Sequence, residues 1–155
     1  MKSKALFLDR DGTINVDTAY LYEPEKFIFL DGVIDFCKRA ESAGYLIIVV
    51  TNQSGVARGY YSVEQMNACN RYMVEEFAKR GVVVTDVFTC TEVDENCPRR
   101  KPNPGMFLEA RDKYSLDMAS SVSIGDKPRD VTAAERAGVG RNFLFTGIFP
   151  EVDFN

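Results

Sequence analysis

The stretch ALFLDRDGT at residues 5–13 places an uninterrupted apolar run directly before two carboxylates. An apolar run without alternation is typical of a strand that is covered on both faces, as strands of parallel sheets are. Asp9 and Asp11 come where this strand is expected to end. The stretch therefore predicts a buried strand whose carboxyl end carries acidic side chains.

Further apolar runs follow along the chain, and segments with helical signals separate them. The runs lie at residues 45–50, 86–90, 121–124 and 142–145. Ser62 to Gln65 have the pattern of a capping box at the start of a helix. Asp31 is expected to cap the start of the preceding helix in the chain. Asn103-Pro104 and Pro128 are expected to open the two later helices. Strand and helix in alternation predict an α/β fold with three layers, a doubly wound parallel sheet between two layers of helices.

Length and composition fit one soluble domain. The chain has 155 residues, of which 45% are apolar and 27% charged, and a net charge of −4. We expect residues 1–155 to form a single domain, and the acidic balance argues against nucleic-acid binding. No apolar run approaches the roughly 20 residues that a membrane helix needs, and no secretion signal is visible. We therefore expect a cytoplasmic protein with no membrane partner.

Polar side chains follow several predicted strands, at the edge where open α/β sheets bind their ligands. Thr51 and Asn52 follow the second strand, and Asp126 follows the fourth. Lys101 lies between the third strand and the next helix. The chain has no histidine, which excludes Ser–His and Cys–His catalysis. We expect carboxylates, hydroxyls and cations to converge at this edge.

The carboxylate pair suits phosphoryl transfer. One of Asp9 and Asp11 can attack phosphorus, and the other can protonate the leaving oxygen and later take a proton from water. Two carboxylates repel a phosphate, so a divalent cation is needed, and Mg²⁺ prefers oxygen ligands such as Asp126. Lys101 supplies further positive charge. Thr51 and its neighbour Asn52 can donate hydrogen bonds to the phosphate.

Four motifs in this order resemble those of the haloacid dehalogenase-like superfamily of Mg²⁺-dependent phosphatases. They are residues 9–15, residues 51–55, Lys101-Pro102, and Gly125-Asp126 with Asp130. Within the superfamily the chain is most similar to the small phosphatases without a cap domain that act on heptose 1,7-bisphosphate or on histidinol phosphate. That finer resemblance also rests on residues 56–59, on Arg100, and on residues 104–106.

The resemblance implies a role for each residue of the motifs. Asp9 would be the nucleophile and a Mg²⁺ ligand. Asp11 would be the general acid and base and would give the metal its backbone carbonyl. Asp126 would complete the protein ligands, whereas Asp130 would lie behind them. Three residues would hold the transferred phosphoryl group: Thr51, Asn52 and Lys101. Three more would contact the rest of the substrate: Ser54, Arg58 and Arg100.

One departure from the resemblance concerns zinc. These phosphatases commonly carry a structural zinc loop, with cysteines and a histidine, just before the Arg-Lys-Pro element. Here Cys90 and Cys97 match two ligand positions, and Arg99 stands where a last cysteine is expected. Two thiolates do not make the four-ligand site that structural zinc prefers, so we expect no structural zinc.

Plainer interpretations exist for these residues. Asp9 and Asp11 could be turn carboxylates, because Asp-Gly is a common turn signal. Asp126 could cap the helix after it, Lys101 could be a solvated loop charge, and Arg58 could be solvated as well. The order of the four motifs outweighs these interpretations.

The sequence thus predicts a monomeric Mg²⁺-dependent phosphatase that acts on a small phosphorylated sugar. Heptose 1,7-bisphosphate, an intermediate of surface-polysaccharide synthesis, is the favoured substrate, and histidinol phosphate is the alternative. A receiver-type signalling module also combines a phosphorylated aspartate, Mg²⁺, a hydroxyl and a lysine. Asp11 argues against it, because a base two residues after the nucleophile would destroy a long-lived aspartyl phosphate.

Overall fold

A computed structural model describes residues 2–155 and shows five strands and four α-helices in strict alternation. The strands are β1 (Lys4–Leu8), β2 (Tyr45–Asn52), β3 (Val84–Cys90), β4 (Val122–Gly125) and β5 (Arg141–Leu144). The helices are α1 (Val33–Ser42), α2 (Val63–Lys79), α3 (Gly105–Tyr114) and α4 (Pro128–Arg136). Each predicted strand is confirmed, with ends that move by one or two residues.

All five strands pair in parallel, in the order β3-β2-β1-β4-β5. Phe7 of β1 lies opposite Ile48 of β2 on one side and Ser123 of β4 on the other. The chain therefore runs outward from β1 to β3 and then returns to the opposite side of β1. Such a reversal opens a crevice at the carboxyl ends of the central strands, which is where these sheets bind ligands.

Helices cover both faces of the sheet, as the uninterrupted apolar strands predict. Leu6, Leu8, Ile47 and Val49 belong to the core cluster that includes α1 and α2. Phe7 points to the other face and packs with α3 and α4. The doubly wound, three-layer fold is confirmed. Among residues 2–155, no helix is both long and apolar enough to cross a membrane.

The helix starts follow the sequence signals only in part. Ser62 and Gln65 form the predicted capping box, with bonds of 3.1 and 2.8 Å between each side chain and the other residue's backbone N–H. The prediction for Asp31 is wrong, because Gly32 turns the chain at a φ of 88° and itself caps α1. The prediction for Asn103 is also wrong. Pro104 is the cap of α3, and the Asn103 amide instead donates to the carbonyls of Glu95 and Cys97.

A long connection follows β1, and it folds back on itself beside the crevice. Val16 N donates to Ile28 O at 2.9 Å, and Leu30 N donates to Ile14 O at 2.8 Å. Within this connection the structure has one short 3-10 turn, Pro24–Lys26. That residues 1–155 form a single domain without a cap stays a prediction.

Candidate active site

A tight turn after β1 sets the position of Asp11. The carbonyl of Arg10 accepts hydrogen bonds from the backbone N–H groups of Thr13 and Ile14 at 3.2 and 2.8 Å. Gly12 allows the turn with a φ of +87°. A Cβ atom at this position would lie 2.2 Å from Oδ2 of Asp126, so only glycine lets the Asp126 carboxylate approach the turn.

Lys101 links the carboxyl ends of β1 and β2 to the start of α4. Its Nζ lies 2.9 Å from Oδ1 of Asp9 and 2.6 Å from Oδ1 of Asp130, and it donates to the carbonyl of Val50 at 2.7 Å. The side chain is only 2% exposed. Asn52 holds the Lys101 backbone, because its amide group exchanges two hydrogen bonds of 3.1 Å with the Lys101 N–H and carbonyl. The lysine is therefore fixed beside Asp9 rather than solvated.

Three carboxylates converge next to this lysine. Asp9, Asp126 and Asp130 each offer an oxygen within 4.8 Å of the other two. Oxygen donors of this kind suit Mg²⁺. Gly12 contributes to the same site, because its lack of a Cβ atom leaves room for the Asp126 carboxylate. The residues present therefore fit a hard divalent cation. We call Asp9, Lys101, Asp126 and Asp130 the reactive cluster.

The reactive cluster is short of positive charge. Burial raises the pKa of Asp9 to about 8, and the nearby carboxylates of Asp130 and Asp11 add to the rise, against the opposing effect of Lys101. Burial would lower the pKa of Lys101, but the Asp9 and Asp130 carboxylates outweigh it and the pKa is raised. Lys101 therefore stays charged, while Asp9 lacks enough neighbouring positive charge to ionise readily. A divalent cation would supply that charge.

Asp11 is held by donors on both of its oxygens, and the sequence did not reveal them. Its Oδ1 accepts from Arg10 Nε at 3.1 Å and from Asn15 Nδ2 at 3.0 Å. Its Oδ2 accepts from Gln53 Nε2 at 3.0 Å. Arg10 is fully buried and also donates to Asn70 and to the Leu21 carbonyl. Asn15 and Gln53 lie within the quoted motifs, so their position in the motifs was the available signal.

A second layer of contacts fixes Gln53. Its Oε1 accepts a hydrogen bond from the Tyr61 hydroxyl, and its Nε2 also donates to Thr51 Oγ1 at 2.9 Å. Burial raises the pKa of Tyr61 to about 12, so this phenol remains a donor at neutral pH. Thr51 is buried at the end of β2. Its predicted contact with a phosphate stays a prediction.

A cavity of about 300 Å³ opens above Asp9 and Asp11. Predicted residues that line it are Asn52, Ser54, Arg58 and Arg100. Thr51, Lys101, Asp126 and Asp130 do not line it. Seven further residues line the cavity that the sequence did not identify as site residues: Asp17, Ala19, Tyr20, Gln53, Tyr61, Lys127 and Arg129. We call Arg58, Arg100, Lys127 and Arg129 the pocket cations.

The loop after β3 is tied down by arginine and asparagine side chains. Arg99 donates to the Thr89 carbonyl at 2.6 Å and pairs with Glu109, and Arg100 donates to the Glu92 carbonyl at 2.9 Å. Cys90 is buried at the end of β3, whereas Cys97 is half-buried in the loop. The expectation that this loop holds no structural zinc stays a prediction.

Comparisons with known proteins agree with this site. The family model described as HAD-hydrolase-like matches residues 98–154, which include Lys101, Asp126 and Asp130. The D-glycero-alpha-D-manno-heptose-1,7-bisphosphate 7-phosphatase of Campylobacter jejuni is 43% identical over 99% of this chain and 89% of its own. The corresponding beta-heptose phosphatase of Vibrio cholerae is 44% identical over 93% of this chain and 82% of its own.

A solved structure shows the same fold. It is the D,D-heptose 1,7-bisphosphate phosphatase of B. bronchiseptica in complex with magnesium and phosphate. The TM-score is 0.81 at 36% identity, and the match covers 89% of this chain and 78% of that one.

The chain therefore belongs to the haloacid dehalogenase-like hydrolase family. The resemblance seen in the sequence and the prediction of an enzyme of the phosphatase class are both confirmed.

Proposed function

We propose that the chain is a Mg²⁺-dependent phosphatase that removes the 7-phosphate of D-glycero-D-manno-heptose 1,7-bisphosphate. The observation that carries the proposal is the reactive cluster. Asp9 lies 2.9 Å from a buried lysine and beside two further carboxylates, below a pocket that Asp11 also lines. The names of the curated relatives supply the substrate.

Asp9 and Asp11 divide the chemistry between them. A carboxylate oxygen of Asp9 attacks phosphorus, the bond from phosphorus to the sugar oxygen breaks, and Asp11 gives that oxygen its proton. Asp11 then takes a proton from water, which attacks phosphorus and releases phosphate and the free Asp9 carboxylate. The donors Arg10, Asn15 and Gln53 support this assignment, because they orient the Asp11 carboxylate.

Lys101 prepares Asp9 for attack, and Asp130 orients Lys101. Lys101 holds one Asp9 oxygen and offers positive charge to the transferring group. Both oxygens of Asp130 are engaged, Oδ1 with Lys101 at 2.6 Å and Oδ2 with the Lys127 N–H at 3.0 Å. These contacts favour a role for Asp130 in orienting Lys101 rather than in binding the metal.

Asp9, Asp126 and the backbone carbonyl of Asp11 would hold Mg²⁺. When bound, the cation neutralises the carboxylates and the phosphate, which would otherwise repel one another. The sequence has no histidine, the imidazole ligand that suits transition metals, and the ligands proposed here are all oxygen atoms.

The pocket cations favour a bisphosphate over histidinol phosphate. Four cationic side chains line the cavity, and they suit a second phosphate better than the positively charged amine of histidinol. The relatives do not decide the anomer, because alpha-specific and beta-specific names occur at 43% and 44% identity. We also propose that the protein acts in the cytoplasm as a monomer, without nucleic-acid or membrane partners.

Phosphate release from a panel of compounds tests this function. The panel contains both heptose 1,7-bisphosphate anomers, fructose 1,6-bisphosphate and histidinol phosphate, each assayed with Mg²⁺ and with EDTA. We expect Mg²⁺-dependent release from one heptose anomer at a kcat/KM at least about tenfold above the other compounds. A preference for histidinol phosphate, or release that persists in EDTA, would contradict the proposal.

A further inference from the structure

The pocket cations lie on two sides of the reactive aspartate. Arg58 follows β2, and Arg100 lies in the loop after β3. Lys127 and Arg129 follow β4. Because β1 lies between β2 and β4, Asp9 has one pair of cations on each side. A substrate whose first phosphate sits at Asp9 directs its second phosphate toward one of these sides.

The two sides differ in how many of their donors are already engaged. Arg58 donates its Nε to Ser54 Oγ at 3.3 Å, and Arg100 donates to the Glu92 carbonyl at 2.9 Å. Lys127 lies 3.6 Å from Asp126. Within residues 2–155, the Arg129 side chain has neither a carboxylate within 4.0 Å nor a hydrogen-bond acceptor. Among the pocket cations of the described chain, Arg129 is the one whose side chain has neither an ion pair nor a hydrogen bond.

The positive charge of Arg129 does not stabilise α4, because it lies in the first turn of the helix. Arg129 follows Pro128 in the first turn, where the helix dipole favours acidic side chains and disfavours cations. Asp130, the next residue, satisfies that preference and caps the Lys127 N–H. A cation that opposes the local preference and faces a phosphate-processing pocket is better explained by its ligand than by its helix.

We infer that Arg129 binds the second phosphate of the substrate and thereby sets the preference for bisphosphates. This inference rests on the proposed function, in which the substrate carries two phosphates. The guanidinium can pair with two oxygens of a phosphate at once. Lys127, two residues earlier, adds a charge from the same side of the pocket. The first phosphate remains with Asp9 and Lys101, so Arg129 acts on binding and not on bond breaking.

The test compares each variant on a substrate with and without the second phosphate. The measured quantity is the ratio of kcat/KM for heptose 1,7-bisphosphate to that for heptose 7-phosphate. Arg129→Ala should lower this ratio about 10- to 100-fold, mainly through KM, because a charged hydrogen bond is lost. Turnover of the monophosphate should stay within about twofold. Arg129→Lys should recover part of the ratio.

Two further variants serve as controls. Arg71→Ala removes the same charge from the exposed surface of α2 and should leave the ratio unchanged. Arg58→Ala should lower the ratio less than Arg129→Ala does. The inference is overturned if Arg129→Ala lowers both substrates equally or neither, or if Arg58→Ala has the larger effect.

The outcome for wild-type protein separates this inference from the proposed function. If wild-type protein rejects both heptose bisphosphates, the proposed substrate is wrong, and the same ratio is measured with fructose 1,6-bisphosphate and fructose 6-phosphate. A bisphosphate preference that Arg129→Ala abolishes would still support the inference. Absence of any bisphosphate preference in the wild-type protein would overturn it.

Discussion

At the reactive cluster, Lys101 is 2% exposed and makes three polar contacts, to Asp9, Asp130 and the Val50 carbonyl. Among the pocket cations, Arg58 and Arg129 are exposed and make one side-chain hydrogen bond and none, respectively, within residues 2–155. The side chains of the reactive cluster fix one another, because Lys101 contacts both Asp9 and Asp130. The pocket cations are held by fewer contacts, and Arg129 has no side-chain hydrogen bond to break before it meets an anion. The comparison indicates that the cluster decides the reaction and that the pocket cations decide the substrate.

The largest effect is expected at the nucleophile. Asp9→Asn and Asp11→Asn should each lower kcat at least about 1,000-fold, because one removes the attacking carboxylate and the other the acid and base. Circular dichroism should show an intact fold. Asp31→Asn is the matched control, since Asp31 caps no helix and lies outside the pocket. Near-wild-type turnover in either purified active-site variant would refute the mechanism.

Lys101→Met should reduce both activity and stability. It leaves the buried Asp130 carboxylate without its cation and removes the hydrogen-bond donor to Asp9, which together should cost about 3–5 kcal/mol in the metal-free protein. Urea unfolding in EDTA measures this loss, and Mg²⁺ should recover part of it. Arg100→Met, which removes a neighbouring charge in the pocket, should change the unfolding free energy by less than about 1 kcal/mol. Equal losses in the two variants would mean that the reactive cluster is not specially fixed.

Gln53→Ala tests whether Asp11 must be held in place. Loss of the Gln53 donor should lower kcat about 10- to 100-fold with little change in KM, because the acid and base would be misplaced. Gln65→Ala removes the same side chain from the cap of α2, and its kinetics should match wild type. Unchanged kcat in Gln53→Ala would show that Arg10 and Asn15 suffice to orient Asp11.

The metal-free protein should become less stable as the pH rises from about 5 to about 8. In the unfolded chain Asp9 loses its proton near its ordinary pKa of 3.8, whereas burial keeps it protonated up to about 8 in the fold. The folded state therefore holds the extra proton in this range, and raising the pH favours unfolding. Melting curves in EDTA should show the fall in Tm, and Asp9→Asn should flatten it. A wild-type Tm that rises over this range would contradict the assigned environment of Asp9.

The smallest effect is expected at Arg58. Arg58→Ala should raise KM for the bisphosphate about two- to fivefold and leave kcat unchanged, because an exposed arginine contributes little to a fixed geometry. Steady-state kinetics beside Arg71→Ala would measure it. A loss in kcat comparable to that of Gln53→Ala would erase the distinction between the reactive cluster and the pocket cations.

The sheet and the reactive cluster could be predicted because each depends on short-range signals. Apolar runs marked the strands, and Asp9, Asp126 and Lys101 follow or lie near strand ends that a parallel sheet brings together. The support of Asp11 could not be predicted, since it depends on how the turn after β1 presents Arg10 and Asn15 to the same oxygen.

The caps of two helices and about half of the residues that line the pocket also could not be predicted from the sequence. Gly32 and Pro104 took the cap positions expected for Asp31 and Asn103, because the turn before each helix ended one residue later than the side-chain signal. The sequence motifs assigned no role to Arg129. Only the position of α4 beside the crevice shows that its side chain lines the pocket.

The most direct test of the central claim is to trap the phosphoryl group on Asp9. Wild-type protein and the Asp11→Asn variant would be mixed with heptose 1,7-bisphosphate and Mg²⁺, quenched in acid within milliseconds, and mapped by peptide mass spectrometry. The account predicts one phosphoryl group on the peptide that contains Asp9, more persistent in Asp11→Asn and absent from Asp9→Asn. Full phosphate release by wild-type protein with no modified Asp9 at any quench time would contradict it.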